Sequence, residues 1–199
     1  MTELKLFNRW GFDVQVKDPG LRPYINLQPI VVPKTGGRFS NNPFHKSKTN
    51  IVERLTNKLM VTGHRGKKHL LTSGRNTGKT LTIFNIVKEV FEKLEQKTKK
   101  NPIEILVGAI ENAALREEIT SYQMGGIMVR KAVVTSPQRR VDSALSVITQ
   151  SAYRKSFGKK VGMANALADE IFYAYQNDAS KSEAIKEKER IEREAGGAR

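Results

Sequence analysis

The sequence has no cysteine among its 199 residues. This absence excludes disulfides, thiolate metal sites and cysteine nucleophiles, and it favours an intracellular protein. Long hydrophobic runs are also missing, because no stretch approaches the ~20 apolar residues that cross a bilayer. The N-terminal MTELKLFNRWGF lacks the basic-then-apolar order of a signal peptide. We therefore predict a cytoplasmic protein without a membrane partner.

Acidic residues are scarce relative to basic ones. The chain has 20 Asp and Glu against 35 Lys and Arg, so its formal net charge is +15. The excess lies in the first half, with 8 basic and 3 acidic residues in 1–50 and 12 and 4 in 51–100. A net charge of this size is an argument about binding partners rather than about the fold. It predicts a polyanionic partner, and nucleic acid is the first candidate.

Residues able to form a catalytic or metal site are few. The three histidines, His45, His64 and His69, show no metal-ligand spacing to a carboxylate. The neighbouring pairs Glu117-Glu118 and Asp169-Glu170 diverge on a helix or strand, so we expect solvated surface groups rather than an acid/base pair. The sequence predicts no enzyme, no metal ion and no cofactor.

The segment SGRNTGKT, residues 73–80, ends like a nucleotide-binding P-loop. A P-loop has four residues between its glycines, so that successive backbone N–H groups surround a phosphate. Gly74 and Gly78 enclose only three. The preceding KKHLLT is too short and too charged for the buried strand that a P-loop follows. A nucleotide hydrolase is therefore a disfavoured alternative.

The first 47 residues differ from the rest. They contain five of the seven prolines and no helical period. Trp10, Phe12 and Tyr24 are too apolar for a purely solvated tail. We predict an extended N-terminal arm over 1–47, strand-like at 30–32, that lies along a protein or RNA surface.

Apolar residues recur at helical spacing from about residue 49. The pattern predicts helices at 51–59, about 79–96, from Asn101 to about 114, from Ser136 onward, and at about 160–175. Asn101 and Ser136 each stand before a proline, the arrangement of an N-cap followed by the first helical position. Residues 48–199 are thus expected to form one mainly α domain that binds RNA.

The last segment, at about 181–197, is highly charged. Lys188 with Glu192 and Glu189 with Arg193 are i, i+4 pairs that support an exposed helix. We expect a solvated helical tail rather than a docking helix.

Between the third and fourth of these helices the period changes to that of strands. Residues 119–124 and 127–135 flank Gly125-Gly126, and a glycine pair supplies the positive φ angles of a tight turn. The pattern predicts a protruding β-hairpin at about 117–135. Val129, Lys131 and Val133 would face one side, with Met128, Arg130 and Ala132 on the other.

Two arginines stand at the start of the fourth predicted helix. Arg139 and Arg140 fall in its first turn, where the helix dipole disfavours cations unless an anion binds. One interpretation is a phosphate site at the turn that begins Ser136-Pro137-Gln138. The alternative is a salt bridge from these arginines to a neighbouring acidic residue.

Other basic residues cluster in the arm, in the loop HRGKKHLLTSGRNTGK and along the first helix. Together they are typical of a surface for folded RNA. The candidate RNA-binding residues are Arg38, Lys46, Lys48, Arg54, Lys58, Arg65, Lys67, Lys68, Arg75, Lys79, Arg130, Lys131, Arg139 and Arg140.

Several long motifs resemble the ribosomal small-subunit protein seven family, which comprises bacterial S-seven and eukaryotic S-five. They include IVERLTNKLM (51–60), NPIEILVGAIENAALREE (101–118), GGIMVRKAVVTSPQRRVDSAL (125–145) and ALADEI (166–171). The resemblance runs in order from about Leu6 to the C-terminus. The arm and the insertion HRGKKHLLTS look like those of archaeal members.

The resemblance implies a six-helix body with a protruding β-hairpin that binds the 3′ major domain of small-subunit rRNA. It implies a non-enzymatic protein that nucleates assembly of the subunit head, among head and platform proteins, and lies near the exit-site tRNA and the mRNA path. The basic RNA-facing positions of the family match here as Arg54, Lys58, Arg75, Lys79, Arg130, Lys131, Arg139 and Arg140. A basic DNA-binding protein is a further alternative, disfavoured because the sequence shows no helix-turn-helix pattern.

Overall fold

A computed structural model describes residues 4–65, 68–69 and 74–198, with the side chains of 64, 65, 68 and 69 outside the description. The fold is mainly α, with a two-stranded hairpin between two long helices, as predicted. The helices are α1 (His45–Lys48), α2 (Ile51–Met60), α3 (Thr80–Thr98), α4 (Pro102–Ala113), α5 (Pro137–Ser156), α6 (Met163–Tyr175) and α7 (Glu183–Gly196). The strands are β1 (His64–Arg65), β2 (Lys68–His69), β3 (Glu117–Met124) and β4 (Ile127–Val134). The six long helices match the six expected, and the short α1 in the arm was not predicted.

Side chains at the helix starts explain several boundaries. The side chain of Asn101 accepts a hydrogen bond from the backbone N–H of Ile103, and Pro102 occupies the first helical position of α4. Asn50 caps α2 in the same way. Ser136 makes no side-chain capping bond, so α5 begins on Pro137 alone. The predicted starts of both proline-led helices are confirmed.

The core is built around α4 and α6. Ile103, Leu106 and Ile110 of α4 are fully buried, and α6 packs against α3, α4 and α5. Gly108 permits the close approach of these two helices, because a Cβ there would lie 2.7 Å from Cδ2 of Tyr175. The two helices therefore form the centre onto which the other elements pack.

The N-terminal arm belongs to this core. Leu6, Trp10 and Leu21 are buried, and the Trp10 ring meets Phe91 of α3 edge to face at a centroid distance of 5.5 Å. The expected strand at 30–32 is absent among the described residues, because 31 and 32 form bends and their carbonyls accept isolated backbone bonds, Val31 from Phe7 and Val32 from Lys34, rather than a ladder. The arm is irregular in backbone but packed in its side chains.

The hairpin turns at the predicted glycine pair. Glu117 pairs with Val134 and Met124 with Ile127, and Gly125 and Gly126 form the turn with φ of 57° and 85°. Both strands contact α7, but the outer half of the hairpin carries exposed apolar side chains: Tyr122, Met124, Ile127 and Met128. The hairpin therefore projects from the body.

The prediction of a solvated C-terminal tail is wrong, because α7 packs against the body. One face, with Ala184, Ile185 and Ala195, is buried against the body. On its exposed side Arg190 forms ion pairs with Glu187 and Glu194, and the expected attraction between Lys188 and Glu192 is also present. The helix docks on its own chain.

Glu170, predicted as a surface group, is fully buried. One carboxylate oxygen accepts bonds from the Ser182 hydroxyl at 2.9 Å and the Ala184 N–H at 3.0 Å, while the other pairs with Lys155. A buried carboxylate is tolerated here because a cation and two donors satisfy it. Glu170 thus fixes the start of α7.

Candidate nucleic-acid interface

Two basic side chains converge on one carboxylate where α1, α2 and α5 meet. Nζ of Lys46 lies 2.9 Å from Oδ2 of Asp142, and Nη2 of Arg54 lies 3.2 Å from Oδ1. Burial raises the pKa of Asp142, but the hydrogen bond from Lys46 and the charges of Arg54 and Lys58 outweigh it, so this pKa is lowered. Asp142 is therefore an ionised centre among cations.

Arg54 is an internal group rather than an open RNA contact. Its side chain is only 5% exposed, and Nη1 donates to the Tyr24 carbonyl at 2.7 Å. Burial lowers its pKa, against the opposing charge of Asp142. Arg54 links the arm to α2 and α5. Its guanidinium is not exposed for the direct phosphate contact that the sequence predicted.

The cations around Asp142 line a groove along α2 and the first half of α5, which we call the basic groove. Its described lining includes Lys46, Arg54, Lys58 and Arg139, and Asp142 is the one acidic residue among them. His45, Asn57 and Ser146 add polar groups. The groove therefore offers excess positive charge and hydrogen-bond donors to an anion.

Arg139 stands exposed at the entrance of the basic groove. Its Nε and Nη2 donate to the two carboxylate oxygens of Glu118 at 2.6 and 2.7 Å, and this contact raises the pKa of the guanidinium. Its side chain remains 64% exposed. Of the two interpretations of Arg139, a phosphate site or a salt bridge to an acidic residue, the salt bridge is the one present in the free protein.

Arg140 points to a different part of the molecule. Its Nε donates to the Leu115 carbonyl at 2.9 Å and its Nη2 to Asp18 at 2.9 Å, with the side chain 14% exposed. Although burial opposes the shift, the Gly20 N–H and Arg140 lower the pKa of Asp18. The expected pair of free guanidinium groups in one turn is not present, because consecutive residues on a helix diverge.

The remaining candidates are spread over the surface. Six of the predicted RNA-binding residues are exposed but do not line the basic groove: Arg38, Lys48, Arg75, Lys79, Arg130 and Lys131, the last two on the hairpin. Arg65, Lys67 and Lys68 lie outside the described side chains. The structure brings together Lys46, Arg54, Lys58 and Arg139.

The P-loop-like segment has a different setting from that of a P-loop. Residues 74–78 form turns before α3, and β2, the described strand ahead of them, has two residues. Among the described residues no group of three or more His, Asp or Glu could hold a metal ion, and no helix is long and apolar enough to cross a membrane.

Sequence reasoning missed Asp142, around which the basic groove is organised. The available indication was its position as the one acid of α5, three residues after Arg139. The partner residues Asp18 and Glu118 gave no such indication, because their pairing depends on contacts between distant segments.

Comparison with known proteins agrees with the sequence motifs. A family model described as "Ribosomal protein S7p/S5e" matches residues 21–199. Proteins named "Small ribosomal subunit protein uS7" are similar over 198 residues, or 99% of this chain: 48% identical in Nanoarchaeum equitans (100% of that chain covered), 49% in Archaeoglobus fulgidus (96%) and 44% in Methanococcus aeolicus (100%). Through its helical body, its hairpin and this full-length similarity, the chain belongs to the ribosomal protein S7p/S5e family.

Proposed function

We propose that this chain is a structural constituent of the small ribosomal subunit that binds the 3′ major domain of the small-subunit rRNA. In this role it nucleates assembly of the subunit head beside neighbouring head and platform proteins, in cytoplasmic ribosomes. Its hairpin lies near the exit-site tRNA and the mRNA path. The support is membership of a structural, non-enzymatic family, with relatives named as small ribosomal subunit proteins. That membership also removes the nucleotide hydrolase from consideration.

The observation that carries the proposal is the charge of the basic groove. Four cations line it, Lys46, Arg54, Lys58 and Arg139, and two carboxylates pair with them, Asp142 and Glu118, so a net positive charge remains. Phosphate oxygens form strong charge-assisted hydrogen bonds with such groups. Neutralising phosphates also releases counterions, which favours binding at low salt. The groove is thus suited to an RNA backbone.

A binding measurement with the full chain tests this function. A transcript of the 3′ major domain is compared with a duplex DNA of equal length, each over a series of salt concentrations. We expect tighter binding to the RNA, and a steep loss with salt of about 0.9 counterion per neutralised duplex phosphate. Equal affinity for the DNA would favour a general DNA-binding protein, and a flat salt dependence would contradict phosphate contact.

A matched pair of double variants assigns the binding to the basic groove. Lys46→Gln with Lys58→Gln should weaken RNA binding about tenfold or more, since each hydrogen bond to a charged group contributes about 1.5–3 kcal/mol. The control is Lys93→Gln with Lys97→Gln on α3, whose lysines also form exposed ion pairs. Equal losses in the two variants would show that only net charge matters.

A further inference from the structure

A second groove, separate from the basic groove in most of its lining, lies between residues 33–40, α2 and the start of α3. The side chains of Phe39, Phe84, His45 and Glu53 line it. Phe39 and Phe84 are half-buried, so part of each ring remains open to the groove. The groove therefore combines aromatic surfaces with a carboxylate.

Glu53 has an unusual position for an acidic residue. It is 6% exposed, and its Oε1 accepts hydrogen bonds from the backbone N–H and the hydroxyl of Thr35 at 2.9 and 2.8 Å. Its Oε2 has no hydrogen-bond partner among the described residues. A buried carboxylate oxygen without a donor is unfavourable, so a ligand that brings N–H donors would relieve that cost.

The loop above Glu53 leaves room for such a ligand. Gly36 and Gly37 have φ of 64° and 78°, a conformation that favours glycine, and nothing lies within 4 Å of a Cβ placed at Gly36. Lys34 and Arg38 flank the two glycines with exposed side chains. A flat aromatic ligand with a phosphate attached matches this combination of ring surfaces, a buried acceptor and outer cations.

We infer that this groove binds one unstacked guanine base of an RNA strand. Guanine is the RNA base whose Watson–Crick edge presents two adjacent N–H donors, N1–H and N2–H, to a carboxylate. Adenine and cytosine place a ring acceptor beside their amino group, and uracil flanks its single N–H with two carbonyls. Glu53 therefore selects guanine, while the phenyl rings contact the faces of the base.

The carboxylate reaches the base by a small rearrangement. Oε2 has almost no solvent-accessible surface in the free protein. The last torsion of a glutamate side chain is soft and broad, so the group turns when a donor arrives. The inference rests on the proposed function, because RNA is the partner that brings the base.

A nucleotide titration of the full chain tests the inference. GMP, AMP, CMP and UMP are added separately at millimolar concentration, and backbone amide shifts are followed by NMR. We expect saturable shifts at residues 34–40 and around Phe84 with GMP, and apparent affinity about tenfold weaker for the other three, within the range that a bidentate pair contributes to base discrimination. Equal shifts with all four nucleotides, or no saturation with GMP, would overturn it.

Variants locate the binding. Glu53→Gln should remove the preference for GMP. Phe39→Leu keeps apolar bulk beside an intact Glu53 and should weaken GMP binding, so it tests the site even if Glu53→Gln folds poorly. Leu81→Ala is the control, because Leu81 is 79% exposed at the start of α3 and does not line the groove. Unchanged GMP binding in Phe39→Leu would contradict the assignment. If the native chain binds the 3′ major domain transcript but does not discriminate among the four nucleotides, the guanine site is wrong and the proposed function still stands.

Discussion

The N-terminal arm and the β-hairpin differ in an unexpected way: the arm, predicted to lie extended along a protein or RNA surface, is packed into the core, whereas the hairpin, predicted to protrude, projects from the body. The irregular arm buries Leu6, Trp10 and Leu21 to 4% exposure or less. The regular hairpin leaves Ile127 70% and Met128 63% exposed. Regular hydrogen bonding therefore does not indicate burial. An irregular segment enters the core when its apolar side chains meet a partner surface, here Phe91 of α3 for Trp10.

The largest expected effect comes from removing the anchor of the arm. Trp10→Ala deletes a buried indole whose Nε1 also donates to Glu95 at 3.2 Å. We expect the free energy of unfolding to fall by about 3–5 kcal/mol, measured by urea denaturation. A loss below about 1 kcal/mol would mean that the arm is only loosely attached, and the contrast with the hairpin would disappear.

A second contrast separates the neighbouring arginines. Arg140→Gln removes a largely buried guanidinium that bridges Asp18 of the arm and the Leu115 carbonyl. We expect it to lower the free energy of unfolding by about 1–3 kcal/mol. Arg139→Gln removes an exposed ion pair and should cost less than about 1 kcal/mol. Equal losses in thermal or urea unfolding would contradict this division.

Acid should loosen the attachment of the arm at Tyr24. Because the folded pKa of Asp142 is lowered, its ionised form contributes stability above its ordinary pKa of about 3.9, and this contribution is lost as the pH falls through the lowered value. From about pH 5 downward, the free energy of unfolding of the native chain should therefore fall more steeply than that of Asp142→Asn. Parallel curves would show that Asp142 gains nothing from Lys46 and Arg54.

The smallest effect is expected at the hairpin tip. Ile127→Ser with Met128→Ser removes apolar surface that is already exposed, so the free energy of unfolding should change by less than about 0.5 kcal/mol. Tyr122→Ser on the opposite strand, with 42% exposure, extends the test. A clear loss of stability in urea would mean that the tip packs against the body.

The sequence predicted much of the fold for identifiable reasons. Asn101 with Pro102 defines the start of α4 locally, and Gly125-Gly126 defines the hairpin turn, since each depends on residues within one turn of the chain. The strand at 30–32 and the solvated state of α7 were wrong. In both cases a short apolar pattern was interpreted without the neighbouring surface that decides its conformation or burial.

For the candidate site, the sequence by itself determined the family motifs, the excess of positive charge and the residues able to contact phosphate. Only the tertiary structure decided which of those residues are open. Arg139 and Arg140 are adjacent in the chain, but one binds Glu118, 21 residues away, and the other Asp18, 122 residues away. Ion pairs form between side chains that the fold brings together, and their burial depends on what else packs around them. Composition and spacing therefore identified the cations, whereas long-range packing separated the exposed Arg139 from the buried Arg54 and the largely buried Arg140.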